Sequence, residues 1–168
     1  MTTIGQPKID TRPALLYMGI RTVTPFSGMS KVATKISKDL DKWAKKQGVT
    51  PAGPPFLRFN VIDMRGAMDI TFGIPVTAAL PDDGPVAAGT LPAGRYASLI
   101  YMGSGLAGNK ALIEWARANQ LEFDRWDTEQ GDNFRCRYES HLTDPKLEPR
   151  KTRWQIEVAI KLADDPGR

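Results

Sequence analysis

Two carboxylates near the C-terminal end carry the clearest chemical signal in this chain. Glu139 lies in R-C-R-Y-E-S-H-L-T-D-P and Glu157 in T-R-W-Q-I-E-V-A-I-K-L. Both stretches read as strands, rich in aromatic and β-branched residues. A carboxylate in such a strand either faces water or sits where its charge is used. Side chains alternate between the faces of a strand. Glu139 therefore shares a face with Arg137 and His141, opposite Tyr138. Glu157 shares one with Gln155, Ala159 and Lys161, opposite Trp154, Ile156 and Val158. A carboxylate among aromatic walls attracts a lipophilic cation, and the ring faces add ~0.5–2 kcal/mol of cation–π attraction. The same carboxylate, desolvated, holds its proton more tightly and can act as a general acid or base. Glu157, flanked by apolar residues in a strand expected to be central, is the leading candidate for either role. For Glu139, a solvated face or a surface ion pair with its same-face neighbours is the rival reading. Tyr17, Tyr101, Trp115, Trp126 and Tyr138 are the candidate ligand walls, while Trp43 and Trp154 read as core. His141 reads as structural and Cys136 as a buried strand residue.

Other chemistries lack their residues. With one cysteine and one histidine, the chain has no disulfide pair and no zinc-ligand spacing. No metal or cofactor is expected. Nor is there a glycine-rich phosphate loop or an RNP motif. The net charge of +4 invites a nucleic-acid reading. Yet Lys31, Lys35, Lys38, Lys42, Lys45 and Lys46 fall mostly on one helix face with Asp39 and Asp41 among them, the pattern of a solvated surface. No direct nucleic-acid binding is expected. No apolar run approaches the ~20 residues of a membrane span, and the first residues lack a signal-peptide core. A cytoplasmic location is the simplest expectation. The 168 residues, 41% hydrophobic and 25% charged, suit one globular domain.

The elements that must position these residues can be read along the chain. Residues 14–24 read as a strand, and 29–47 as an amphipathic helix with Val32, Ile36, Leu40 and Trp43 on one face, ended by Gly48. Residues 56–63 and 68–77 read as a hairpin, and 86–91 and 95–102 as another around Pro92-Ala93-Gly94. A second helix is expected over 106–119, then strands over 122–126, 134–143 and 153–163. Strand-helix-strand-strand thus occurs twice. Met68–Val76 can be laid on Trp154–Leu162 with apolar matching apolar, which sets Thr71 on Glu157. The expectation is an α+β fold: duplicated units forming one antiparallel sheet, two helices on one face, and a ligand cleft at the pseudo-twofold seam. Residues 1–13 read as an N-terminal extension, 14–163 as the domain, with repeats of roughly 14–91 and 92–163, and 164–168 as a tail.

The chain resembles the GyrI-like small-molecule-binding family, the effector-binding domains of AraC- and MerR-type multidrug regulators, which also occur alone. The matching stretches are L-L-Y-M-G-I-R, P-P-F-L-R-F-N-V-I-D and F-G-I-P-V in the first half. In the second they are L-P-A-G-R-Y-A-S-L-I-Y-M-G, L-I-E-W-A, Y-E-S-H-L-T-D-P and W-Q-I-E-V-A-I-K-L. The resemblance implies binding of hydrophobic, aromatic, often cationic small molecules in an acidic, aromatic-lined cleft, with Glu157 and Glu139 on its late strands. It also implies two alternatives: hydrolysis of strained-ring compounds through a buried glutamate, and a protein-interaction role such as inhibition of DNA gyrase. The sequence departs from the family pattern at Met102-Gly103-Ser104-Gly105-Leu106, where an aromatic residue is common, and at Ile160-Lys161-Leu162, where Ile-Pro-Leu is common.

Overall fold

A computed structural model describes residues 1–164. The strands, in chain order, are β1 (Thr3–Ile4), β2 (Lys8–Arg12), β3 (Leu15–Pro25), β4 (Phe56–Ile62), β5 (Ala67–Pro75), β6 (Val86–Leu91) and β7 (Gly94–Met102). They continue with β8 (Arg125–Thr128), β9 (Gly131–Phe134), β10 (Arg137–His141) and β11 (Ile156–Lys161). The helices are α1 (Met29–Gln47) and α2 (Gly105–Ala118). All strands join one antiparallel sheet, along the path β1-β7-β11-β10-β4-β5-β3-β6, with β2 also on β7 and the β8–β9 hairpin on β4.

The expected duplication is written into the register. Leu57 pairs with Glu139 across the central strands β4 and β10. On one side Leu57 pairs with Phe72, which pairs with Ile20; on the other Glu139 pairs with Val158, which pairs with Leu99. One pseudo-twofold axis at the Leu57–Glu139 pair relates the two halves, and it sets Thr71 on Glu157 as the sequence alignment does.

Each helix covers its own half. The α1 stripe Ile36, Leu40 and Ala44 packs with Met18, Ile20, Leu57, Phe59, Ile70 and Phe72. In α2, Leu112 packs with Leu99, Tyr101, Phe134, Val158 and Ile160. Leu40 and Leu112 have no exposed surface, so truncating either to Ala would cost about 2–5 kcal/mol. Helix α1 ends at Gly48, whose φ of 69° is the left-handed conformation a helix stop requires. Its N-terminus follows a short 3₁₀ turn, and neither Ser27 nor Ser30 caps it; the N-cap is Gly28. The lysine face is solvated, with Lys35 and Lys45 each paired to an aspartate four residues away. Neither helix is long and apolar enough to cross a membrane.

Two expectations are corrected. The segments on either side of Pro92-Ala93 do not form a hairpin. β6 pairs with β3 at one edge, whereas β7 pairs with β11 six places away in the strand order. A flat sheet would hold them roughly 29 Å apart at ~4.8 Å per strand. The chain from Leu91 to Gly94 can reach only about 11 Å. The sheet therefore curls, and its inner face closes on Tyr17, Phe56, Leu91, Tyr96, Cys136, Tyr138 and Ala159, a cluster without a helix residue. The second correction concerns residues 122–143. The chain turns back at residues 129–130 to form the β8–β9 hairpin before β10 begins. Residues 1–13 are also more than an appendage: β1 and β2 complete the sheet against β7. Of the expected tail, residues 165–168 lie outside the described residues.

Candidate functional site

The pseudo-twofold axis passes through the face of β4 and β10 that lies between the helices. Alternation on β10 sends Arg137, Glu139 and His141 to that face, while Tyr138 joins the inner cluster. Three ionisable side chains therefore run along the seam.

Glu139 is at its centre, next to Leu57 and Val158. Protein surrounds its carboxylate, yet the residue keeps some solvent contact. Tyr101, from β7, donates its Oη hydrogen to Glu139 Oε1. Burial pushes the carboxyl pKa up, opposed by the tyrosine hydrogen bond, the Arg137 charge and a hydrogen bond from Asn109. Burial, and then the neighbouring carboxylate, push the Tyr101 phenol up as well. The pair thus has a donor that keeps its proton and an acid that resists losing its own.

The local sequence explains how Tyr101 reaches this position. Its ring runs beneath the first turns of α2, where Gly105 and Gly108 leave room. A Cβ on Gly108 would stand 2.5 Å from Tyr101 Cδ1. Ser104 caps the helix, its Oγ accepting from the Ala107 amide at 3.1 Å. The run Gly103-Ser104-Gly105-Leu106-Ala107-Gly108 is therefore a cap and a tyrosine seat.

The two ends of the seam differ. At one end the His141 ring meets Phe72 edge-on at 5.9 Å and Trp154 at 6.3 Å, and burial lowers its pKa. At the other end Arg137 Nη2 donates to Asn109 Oδ1 at 2.7 Å, and the guanidinium lies 4.8 Å from the Phe134 ring centroid. Beside Arg137 is a cavity of about 370 Å³, with Ile113, Leu121, Phe123 and Phe134 in its walls.

Glu157 lies on the opposite, inner face. Arg12 Nη1 donates to Glu157 Oε1 at 2.9 Å and to Tyr138 Oη at 2.8 Å, and Arg12 Nη2 donates to Ser98 Oγ at 3.3 Å. The Glu157 and Arg12 side chains are 17% and 19% exposed. The placement expected for Glu157, in the cleft between the helices, is not the one observed. Its apolar neighbours Ile156 and Val158 point to the helices, so Glu157 points away. Of the expected walls, Tyr101 alone meets a glutamate at the seam. Tyr17 and Tyr138 belong to the inner cluster, each edge-on to Phe56. Trp126 is on the β8–β9 hairpin, 41% exposed, under the Arg135 guanidinium. Trp115 packs on the α2 core. At 100° per residue it falls on the flank of α2 away from Asn109 and Ile113, the pair nearest Arg137 and its cavity.

Arg12 carried no signal in the sequence that set it apart. Arg12 sits in the N-terminal segment, and its partner emerges only when β2 pairs with β7. Asn109 is detectable in retrospect as a polar residue one turn before Ile113 on the seam-facing flank of α2. Among the described residues, no group of three or more His, Cys, Asp or Glu side chains is placed to hold a metal ion.

Curled duplicated sheet, paired helices and a seam between them define a small-molecule-binding architecture of the effector-binding type. The chain belongs to the GyrI-like family: residues 5–162 match the GyrI-like small molecule binding domain. No curated protein matches its sequence. Solved structures share the fold at low identity. The EcmrR C-terminal domain is 17% identical with a TM-score of 0.67, over 96% of this chain and 99% of that one. SAV2435, solved bound to tetraphenylphosphonium, is 9% identical with a TM-score of 0.60, over 94% of both chains. A hydrolase from Listeria innocua is 10% identical with a TM-score of 0.61, over 94% of this chain and 92% of that one.

Proposed function

We propose that this domain binds lipophilic, aromatic, often cationic small molecules in the groove between the helices, with Glu139 as the acidic determinant. The observation that carries this reading is the Tyr101–Glu139 pair on the pseudo-twofold axis. A carboxylate held there at raised pKa is costly to ionise in the free protein. Arg137 compensates that charge in part; a bound cation adds counter-charge in a low-dielectric setting, where attraction is strongest. Half-buried Ile156, His141 and Trp154, beside Glu139 on the same face, offer surface that makes few directional demands. Such a surface suits ligands that differ in shape and share only charge and hydrophobicity. The related fold of SAV2435 bound to tetraphenylphosphonium supports the ligand class.

Thermal shifts with a panel of lipophilic cations and uncharged analogues test the proposal. Cations should raise Tm more at pH 8 than at pH 5, because protonation of Glu139 removes the attraction. Equal shifts for charged and neutral ligands at both pH values would refute it.

A second reading, hydrolysis of strained-ring compounds, draws on the same pair. A carboxyl with raised proton affinity beside a phenol can relay a proton to or from a substrate or water. Product release from a cyclopropanoid substrate, absent in Glu139→Gln and in Tyr101→Phe, is the expected outcome. Turnover no faster than in buffer would dismiss it.

A further inference from the structure

The cavity beside Arg137 has a chemistry opposite to that of Glu139. Arg117, Arg125 and Arg137 line it, against one carboxylate, Asp132. Asp132 is already engaged, with Arg125 Nε donating to Asp132 Oδ1 at 2.6 Å, and Asp127 takes a second bond from the same guanidinium. Arg137 is different. Among the described residues no carboxylate lies within ion-pair distance of it, and its Nε is buried without a hydrogen-bond partner. Its one side-chain partner is the neutral Asn109, and the Phe134 ring fixes its plane. A guanidinium with no carboxylate at ion-pair distance and one neutral hydrogen-bond partner is only partly compensated for its burial, the charges of Glu139 and Asp132 acting on it from farther away. Half of the lining residues are apolar, so a bare inorganic anion would leave Ile113, Leu121, Phe123 and Phe134 uncovered.

We infer that this cavity is a second binding site, for a small aromatic or acyl carboxylate whose acid group pairs with Arg137 and whose body lies against Phe123 and Phe134. A carboxylate matches the planar fork of a guanidinium, and the bonds are charge-assisted. The volume of about 370 Å³ sits at the small end of ligand cavities, enough for one or two fused rings. Arg117, on the exposed face of α2, adds attraction at the mouth. The inference is separable from the proposal for Glu139, which concerns the other sign of charge, although Arg137 and Glu139 act on each other electrostatically and share Asn109.

Calorimetric titration with 2-naphthoate, and with 2-naphthamide as its neutral counterpart, tests it. Naphthoate should bind at least tenfold more tightly than naphthamide. Arg137→Met should abolish that preference, Arg117→Gln should weaken it a few-fold, and Glu157→Gln, on the opposite face of the sheet, should retain it. In the wild type, naphthoate should shift the NMR signals of the Ile113 methyls and the Phe123 and Phe134 rings, and leave Leu57 unmoved. This map stands even if Arg137→Met fails to fold. Equal affinity for acid and amide, no binding of naphthoate, or shifts centred on Leu57 would overturn the inference.

Discussion

Replacing Arg12 by methionine should destabilise the protein substantially and leave groove binding intact. Arg12 is the hub of the inner-face network. It donates to Glu157 and Tyr138 at 2.9 and 2.8 Å, with a weaker bond to Ser98 at 3.3 Å. Methionine keeps most of the packed stem and removes only the guanidinium. Hydrogen bonds to charged groups contribute ~1.5–3 kcal/mol net. Breaking a fully buried ion pair from one side costs about 3–5 kcal/mol, because the surviving charge is stranded. Glu157 and Arg12 keep 17% and 19% side-chain exposure, so the lower part of that range applies, about 3 kcal/mol. The Asp10 contact adds little, since that carboxylate is 37% exposed. In a chain of this size ~3 kcal/mol lowers Tm by roughly 6–12 °C. Urea unfolding should show the loss as a lower midpoint at unchanged slope. Arg12→Met/Glu157→Met, which leaves no stranded charge, should recover at least half of it. Arg12→Met within about 0.5 kcal/mol of wild type, within the range of an ordinary surface change, would refute the reasoning. So would a double variant less stable than the single one.

Three further outcomes follow from the seam. Gly108→Ala should destabilise by roughly 0.5–2 kcal/mol by chemical denaturation, although the helix propensity alone would stabilise by about 1 kcal/mol, because the new methyl meets the Tyr101 ring. In Tyr101→Leu the same change should become neutral or stabilising. Glu139→Gln should raise Tm near neutral pH. The Glu139 pKa is raised by burial, so the fold prefers the protonated acid and loses stability as pH rises from the ordinary carboxylate value through the folded one; a scan from pH 4 to 8 should show a decline that the variant lacks. The His141 pKa is lowered by burial. Its ring is therefore neutral in the fold, and stability present above the ordinary histidine value is lost as pH falls through the folded one. His141→Phe, packed between Phe72 and Trp154, should flatten that acid limb of the Tm profile.

The paired strand-helix-strand-strand units were legible because their signals are local: a 3.6-residue apolar stripe in α1, glycine stops, and period-two alternation in β5 and β11. Even the match of Thr71 with Glu157 survives as a symmetry relation in the register. Which face of each strand the helices cover is not local. On β11, Ile156, Val158 and Ile160 face α2, while Ala159 on the other face is equally buried, so apolar flanks alone could not assign Glu157 a side. On β10, Arg137, Glu139 and His141 look like a solvated face until β4 and α2 enclose them. The supposed hairpin at Pro92-Ala93 has the residues of a turn, and the curl of a whole sheet made it a crossover instead. The inner-face partner of Glu157 came from the polar first residues, whose strand character exists only through pairing with β7.

The most direct measurement is a calorimetric titration of tetraphenylphosphonium into wild type, Glu139→Gln and Glu157→Gln at pH 8. The wild type should bind the cation, Glu139→Gln should lose at least tenfold in affinity, and Glu157→Gln should stay within twofold of wild type. Binding that survives in Glu139→Gln and collapses in Glu157→Gln would contradict the proposed role of Glu139.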